Sequence, residues 1–274
     1  MRIIVTGGSG KAGRWVVRDL RERGHEVLNV DLVHDGSPHG SCVLADLTQL
    51  GEAHDLLGGA DAVVHLAAIP APEMRPAGET FRNNTLSTYN VFAAATERGV
   101  GGVVWASSET VLGLPFDEPP AFAPVDESHP ARPESSYALS KLVGETMAQQ
   151  FARRTGVPFI GLRISNIMEP ADYARFPSWQ EEPRVRKWNL WGYVDARDVA
   201  QAVRRSLEAD VSGAEVAIIA AADTCMRRSS ADLMAEVYPD VELRQGVEGR
   251  ETLLSIGRAR QLLGYAPGHS WLDS

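Results

Sequence analysis

The chain is poor in the features that mark secreted, membrane-embedded or nucleic-acid-binding proteins. Among its 274 residues there are two cysteines, Cys42 and Cys225. They lie far apart and lack metal-ligand spacing, which excludes a disulfide framework and a cysteine-based metal centre. They read as reduced, structural thiols of a cytoplasmic protein. No apolar run approaches the roughly 20 residues that span a bilayer. The opening stretch MRIIVTGG runs directly into a strand-like segment, so no signal peptide is expected. Basic residues are not in excess: 27 Lys and Arg stand against 36 Asp and Glu, a formal net charge of -9. An acidic balance with interspersed charges argues against nucleic acid or an anionic membrane as the main partner. Internal repeats and low-complexity tracts are missing too.

What is present is apolar sequence in short blocks. Hydrophobic residues make up 44% of the chain, enough for a full core. Strand-like runs occupy 2–7, 26–32, 41–47, 61–68, 102–108, 158–165 and 215–221. Most are continuous rather than alternating in polarity, as suits strands covered on both faces of a parallel sheet. Helical patterns fit between them at about 11–23, 51–57, 79–98, 134–155, 195–209 and 229–237. This alternation predicts right-handed crossovers and an α/β, doubly wound parallel Rossmann sheet. Residues 1–165 are expected to form the nucleotide-binding domain. Residues 166–274 are expected to form a small substrate lobe interleaved with the last strands and helices of the sheet. Two proline-bearing stretches, 113–133 and 166–190, break the rhythm, and the tail from 222 to 274 reads as short helices. Long loops of this kind serve either as lids and pockets or as surface decoration.

The stretch VTGGSGKAG places Gly7, Gly10 and Gly13 straight after a strand and at the opening of a helix. Glycine allows a tight turn and close approach of backbone to phosphate, and a helix N-terminus offers free N–H groups to a pyrophosphate. The spacing is G-x-x-G-x-x-G rather than the G-x-G-x-x-G of the dehydrogenase fingerprint. About 20 residues on, Asp31 ends the second strand, where an acid accepts hydrogen bonds from both adenosine ribose hydroxyls and repels a 2'-phosphate. NAD is therefore favoured over NADP. Asp46 and Leu47 close the third strand, where an adenine amino group is met. In YALSK, Tyr137 and Lys141 are four positions apart and so share one face of a helix. Taken alone, that pattern fits a solvated helical face as well as a catalytic pair.

The ordered set TGGSGKAG, HLAA at 65–68, Asn84 in NNTLSTYNV, SSETVLG at 107–113 and YALSK resembles the extended short-chain dehydrogenase/reductase family, the NAD-dependent sugar epimerases and dehydratases. The resemblance covers roughly 1–221, with a weaker echo in RARQLLGYAP. It implies an enzyme in which Tyr137 takes the proton from a substrate hydroxyl as hydride leaves its carbon for NAD. Ser108 aligns with the serine that bonds the same hydroxyl, and Lys141 holds the nicotinamide ribose and favours the Tyr137 phenolate. Asn84 stands where the family places a supporting polar residue, although a plain helix-interior asparagine is the alternative. Lys11, Ala12, Leu66, Ala67, Ala68 and Ile164 complete the implied cofactor contacts. His65 is expected to be a buried strand histidine and Ser107 a structural neighbour. Glu109 is a candidate substrate contact, with a capping or solvated role as the alternative.

On the substrate side the chain departs from the nucleotide-sugar epimerases. Arg163 and Asn166 match their R-x-x-N pattern, but Trp191 stands in place of the arginine for the substrate diphosphate. Asp195 replaces a histidine, and Leu112 replaces the tyrosine of the VYG motif. The segment EPADYARFPSW is similar to one in uronate dehydrogenases, which oxidise free sugar acids and grip the carboxylate with an arginine one position before Arg175, where this chain has Ala174. Arg175 is the candidate cation, and Trp179, Trp188 and Trp191 offer aromatic walls for a small sugar ring. Three readings follow: an NAD-dependent sugar or sugar-acid dehydrogenase, a nucleotide-sugar 4-epimerase or dehydratase with tightly bound NAD, and a non-catalytic NAD-binding regulator. The resemblance also implies a homodimer joined through the helices near 84–98 and 134–155.

Overall fold

A computed structural model describes residues 1–34, 42–244 and 247–273. In chain order its regular elements are β1 Arg2–Thr6, α1 Gly13–Glu22, β2 Glu26–Asp31, β3 Cys42–Leu44, α2 Leu50–Leu56, β4 Ala62–His65, α3 Ala77–Glu97 and β5 Val103–Ser108. There follow β6 Phe122–Ala123, α4 Ser136–Thr155, β7 Phe159–Ile164, β8 Ile167–Met168, β9 Val194–Asp195, α5 Ala196–Glu208, β10 Ala214–Ile219, α6 Ser230–Val237, β11 Glu242–Leu243 and α7 Gly257–Leu263. The seven predicted strands are the seven strands of the main sheet, ordered β10-β7-β5-β4-β1-β2-β3 and parallel throughout. The third is observed only over Cys42–Leu44, and Ser41 lies outside the described residues.

Continuous apolar runs build this sheet because successive side chains point to opposite faces, and both faces are covered. In β1, Ile3 and Val5 join one hydrophobic cluster with Val16 and Leu20 of α1 and Val199 and Val203 of α5. Ile4 joins the other, with Ala53 of α2, Phe92 of α3 and Phe151 of α4. Helices therefore flank the sheet in two layers. The outer edge strand β10 is blunted: Glu127 accepts the Ile218 N–H (2.7 Å), and Arg258 donates to the Val216 carbonyl (2.9 Å). Partnered groups of this kind close the edge to another chain.

The two proline-bearing stretches are built into the fold. Within 113–133, Phe116, Phe122 and Val125 are buried, and β6 pairs in parallel with β11 of the tail. Within 166–190 there are 3-10 helices at Pro170–Trp179 and Pro183–Asn189. The tail carries α6 and α7, as expected, and is anchored by Asp198, which accepts from the Gly268 and His269 N–H groups. Residues 245–246 and 274 of the tail lie outside the described residues.

Three substrate-side expectations are corrected by burial. Trp191 has no exposed surface and donates from Nε1 to the Pro183 carbonyl (2.7 Å), so it is core and not a sugar-stacking wall. Trp179 is buried against Phe176, and together with Trp188 it flanks Arg186, whose guanidinium carbon lies 4.5 and 4.7 Å from the two ring centroids. Arg163 lies inside the fold, where two bonds of 2.9 and 2.8 Å join it to the buried Glu145. Ser107 adds a bond to the same carboxylate (2.6 Å).

Breaking one side of a buried pair leaves an uncompensated charge in the core. Glu145→Ala should cost about 3–5 kcal/mol of stability. Chemical denaturation measures it, and a loss below about 1 kcal/mol would contradict the pairing described.

Candidate active site

The parallel register brings the C-terminal ends of β1, β2, β4, β5 and β7 to one edge of the sheet. At that edge lies a cleft of about 510 Å³. The turn from β1 into α1 forms its floor. Gly7 has φ +72°, and a Cβ there would lie 2.5 Å from the Ala67 nitrogen. A Cβ on Gly13 would lie 2.1 Å from the Gly7 carbonyl oxygen. Backbone is packed on backbone here, and only glycine fits. No side chain caps the N-terminus of α1, and its first turn holds no acidic residue. The Arg14 and Trp15 N–H groups already donate to the Gly10 and Ala12 carbonyls (both 3.1 Å), so among the described residues the Gly13 N–H is the group of this turn left for an anion.

Asp31 lines the same cleft, where its carboxylate accepts from the Ser9 N–H (3.0 Å) and the Leu32 N–H (2.7 Å). A carboxylate has about four lone-pair sites, so two remain for ribose hydroxyls. Asp46 is fixed by Thr48, whose N–H and hydroxyl both reach Oδ1 (2.9 and 2.7 Å). Gly10, Lys11, Ala12, Leu47, Leu66, Ala67 and Ala68 also stand on the wall. The turn, the open helix end and the Asp31 carboxylate together fit a dinucleotide. The Lys11 ammonium is engaged across the cleft with Asp172 (2.7 Å), and Arg14 pairs with Glu169. These contacts tie the first turn of α1 to the segment 167–172.

Tyr137 is the second residue of α4, which is started by Ser135 accepting from the Ala138 N–H (3.1 Å). The Tyr137 ring lines a second cavity of about 470 Å³ with Pro72, Arg75 and Thr80. Arg75 stands on the walls of both cavities. The end of β5 brings Ser108 near the Tyr137 phenol, while its Oγ accepts from the Thr110 N–H and hydroxyl (3.2 and 3.0 Å). Lys141 is buried; its ammonium donates to the Ala106 carbonyl (2.8 Å) and lies 5.6 Å from the Tyr137 ring centroid. The structure places Ser108, Tyr137 and Lys141 near one another.

The electrostatics differ from the sequence expectation. Burial pushes the Tyr137 phenol up to about 12, only partly offset by the nearby Ser108 hydroxyl. Burial also pulls Lys141 down to about 8. His65 is buried between the Thr6 and Thr88 hydroxyls (2.7 and 3.2 Å), and desolvation followed by the Lys141 charge drops it to about 3, so it stays neutral.

Other candidates take different places. Both ends of the Asn84 amide meet the Ile69 backbone: Oδ1 accepts from its N–H (2.8 Å) and Nδ2 donates to its carbonyl (3.0 Å). Asn84 thus braces the loop after β4. Ile164 is buried opposite Ser108 in the sheet register. Asn166 and Arg175 line neither of the two cavities; Arg175 is exposed, its guanidinium 5.7 Å over Trp179. Asp195 caps α5 and accepts from the Tyr173 hydroxyl. Glu109 is neither a solvated residue nor a cap: only 3% of it is exposed. The sequence reading passed over Glu79, Asn83 and Ser87, which line the cleft from α3. Their spacing of four forms a polar stripe on a helix otherwise rich in buried alanine, and that stripe is the signal that finds them.

Residues 3–221 match the sequence profile of the NAD dependent epimerase/dehydratase family. A uronate dehydrogenase of Pseudomonas syringae pv. tomato is 30% identical over 183 residues, 65% of this chain and 64% of the relative. The chain thus spans just under two thirds of that relative's length. An L-arabinose 1-dehydrogenase (NAD(P)(+)) of Haloferax volcanii is 30% identical over 226 residues, 79% of this chain and 86% of the relative. A short-chain dehydrogenase/reductase superfamily protein of Agrobacterium tumefaciens, solved with bound NAD, has the same fold, with a TM-score of 0.77 at 24% identity over 99% of this chain and 94% of that one. With four fifths of its length inside the family profile, the chain belongs to the NAD-dependent epimerase/dehydratase family.

Proposed function

We propose that this protein is an NAD-dependent dehydrogenase of a free sugar or sugar acid. The observation that carries the reading is the buried Ser108, Tyr137 and Lys141 set beside a cleft with a glycine floor and an acid at Asp31. NAD supplies the hydride acceptor when bound. Tyr137 removes the proton from the substrate hydroxyl, and Ser108 bonds the same oxygen and orients it. To act as a base at pH 7 the phenol must cross a gap of about five pH units from 12, roughly 7 kcal/mol. The Lys141 ammonium, in its charged form below about pH 8, supplies part of that by favouring phenolate. Asp31 accepts the adenosine ribose hydroxyls and rejects a 2'-phosphate.

Substrate size is inferred from what the substrate side offers. Only about 25 residues separate Asn166 from Trp191, and Trp191 takes the place of the diphosphate-binding arginine. The similar uronate and L-arabinose dehydrogenases are named for sugars without a nucleotide. Arg75, on the walls of both cavities, is placed for an anionic group on such a sugar, and the exposed Arg175, outside both cavities, is the second candidate cation. A homodimer is proposed through α3 and α4, whose Leu86, Tyr89 and Leu139 are 38%, 46% and 42% exposed.

Tyr137→Phe should remove most turnover while NAD binding survives, because the ring still packs and only the acid/base oxygen is lost. Activity retained within about threefold would refute Tyr137 as the acid/base. Titration of both cofactors should show NAD bound about tenfold or more tighter than NADP, with Asp31→Ala narrowing the gap. Equal affinities, or tighter NADP, would refute the role of Asp31. Arg175→Ala should raise KM for an acidic sugar and leave KM for a neutral one unchanged. A crystal soaked with a UDP-sugar that shows an ordered uridine against 166–190 would instead support the epimerase reading.

A further inference from the structure

Beside the catalytic set lies a buried carboxylate that the mechanism above does not use. Glu109 follows Ser108 directly, at the start of the 3-10 helix Glu109–Leu112. Each of its oxygens has a named donor. Oε2 accepts from the Ser165 hydroxyl (2.5 Å), and Oε1 accepts from the Asn189 amide (3.2 Å). Asn189 has no exposed surface and donates also to the Gly192 carbonyl (2.9 Å). One side chain therefore joins the end of β5, the residues following β7 and the turn at 189–192.

Among the described residues, two charged or titratable groups lie within electrostatic reach of this carboxylate. From α4 comes Tyr137, whose proton affinity the Glu109 charge raises. From the 3-10 helix Pro183–Asn189 comes Arg186, buried between Trp179 and Trp188. Arg186 does not contact the carboxylate: its Nη2 donates to the Gly192 carbonyl (3.0 Å), and its Nε has no partner among the described residues. The neighbours that follow β7 and end the 183–189 turn, Ser165 and Asn189, are neutral. The negative charge is thus held by neutral donors, at the cost of desolvation, within electrostatic reach of the proposed base.

We propose that Glu109 is a positioning residue for the reaction: it fixes the substrate-side turn against the catalytic strand, and its charge sets the ease with which Tyr137 loses its proton. The inference rests on Tyr137 as the acid/base. Desolvation by burial lifts Glu109 to about 7, so its charge changes near neutral pH. The sign follows from reciprocity. Ionised Glu109 opposes phenolate, and an uncharged group at this position favours it.

The test is the pH profile of kcat for oxidation in wild type, Glu109→Gln, Glu109→Asp and Tyr137→Phe. The acid limb of Glu109→Gln should lie about half a pH unit or more below that of wild type, and Glu109→Asp should restore it. A purely structural role would change amplitude and leave the limb in place. A Glu109→Gln limb within about 0.2 pH units of wild type overturns the proposal. If Glu109→Gln does not fold, Ser165→Ala replaces it. That variant removes one donor to the carboxylate, favours its neutral form, and should move the limb the same way by a smaller amount. An unmoved limb there overturns the proposal equally. Tyr137→Phe separates the two readings: if it keeps turnover, the assignment of Tyr137 fails, whereas an inactive Tyr137→Phe with an unmoved Glu109→Gln limb refutes the role of Glu109 alone.

Discussion

The site depends on one constraint, the parallel register of the main sheet. Thr6 pairs with Val30 and with His65, and Ser108 with Ile164, so the strands end together at one edge. Each end delivers a different group: a glycine turn from β1, a carboxylate from β2, the loop 66–70 from β4 and a serine from β5. The alternation of faces that builds the two cores also fixes which residues reach this edge. A one-residue slip in any strand would exchange its faces and empty the site.

Around that edge the protein keeps polar groups in dry surroundings. Tyr137, Lys141, His65 and Glu109 are each at most 9% exposed. Desolvation moves all four toward their neutral forms: tyrosine and glutamate upward, lysine and histidine downward. Such a site stores electrostatic cost that a bound charge can offset. The fold stabilises it from a distance. Asn84 pins the loop after β4 through Ile69, while Lys11 and Arg14 hold 167–172 against α1.

Much of the fold was legible because it is encoded locally. Continuous apolar runs mark the seven strands, and the helical stretches between them required no knowledge of tertiary contacts. The glycine turn, Asp31 and the Tyr137/Lys141 spacing were equally local, since each motif fits its own strand–turn–helix setting. The substrate side was less legible. Trp191 reads as a wall for a sugar and is core, because its burial depends on Pro183 and Tyr238. Arg163 reads as part of a substrate motif and is paired with Glu145, 18 residues away in sequence. Glu109 looks solvated in the sequence and is buried by Ser165 and Asn189, 56 and 80 residues distant. Where a side chain's role is decided by partners that far along the chain, residue type and spacing do not reveal it.

The most direct test of the central claim is an NAD-coupled screen of free sugars, uronic acids and nucleotide sugars, read by the absorbance of reduced nicotinamide. Net reduction of NAD with a free sugar or sugar acid, exceeding that with any nucleotide sugar, is the expected result. Conversion of a nucleotide sugar with no net reduction of NAD, and silence with every free sugar, would contradict it.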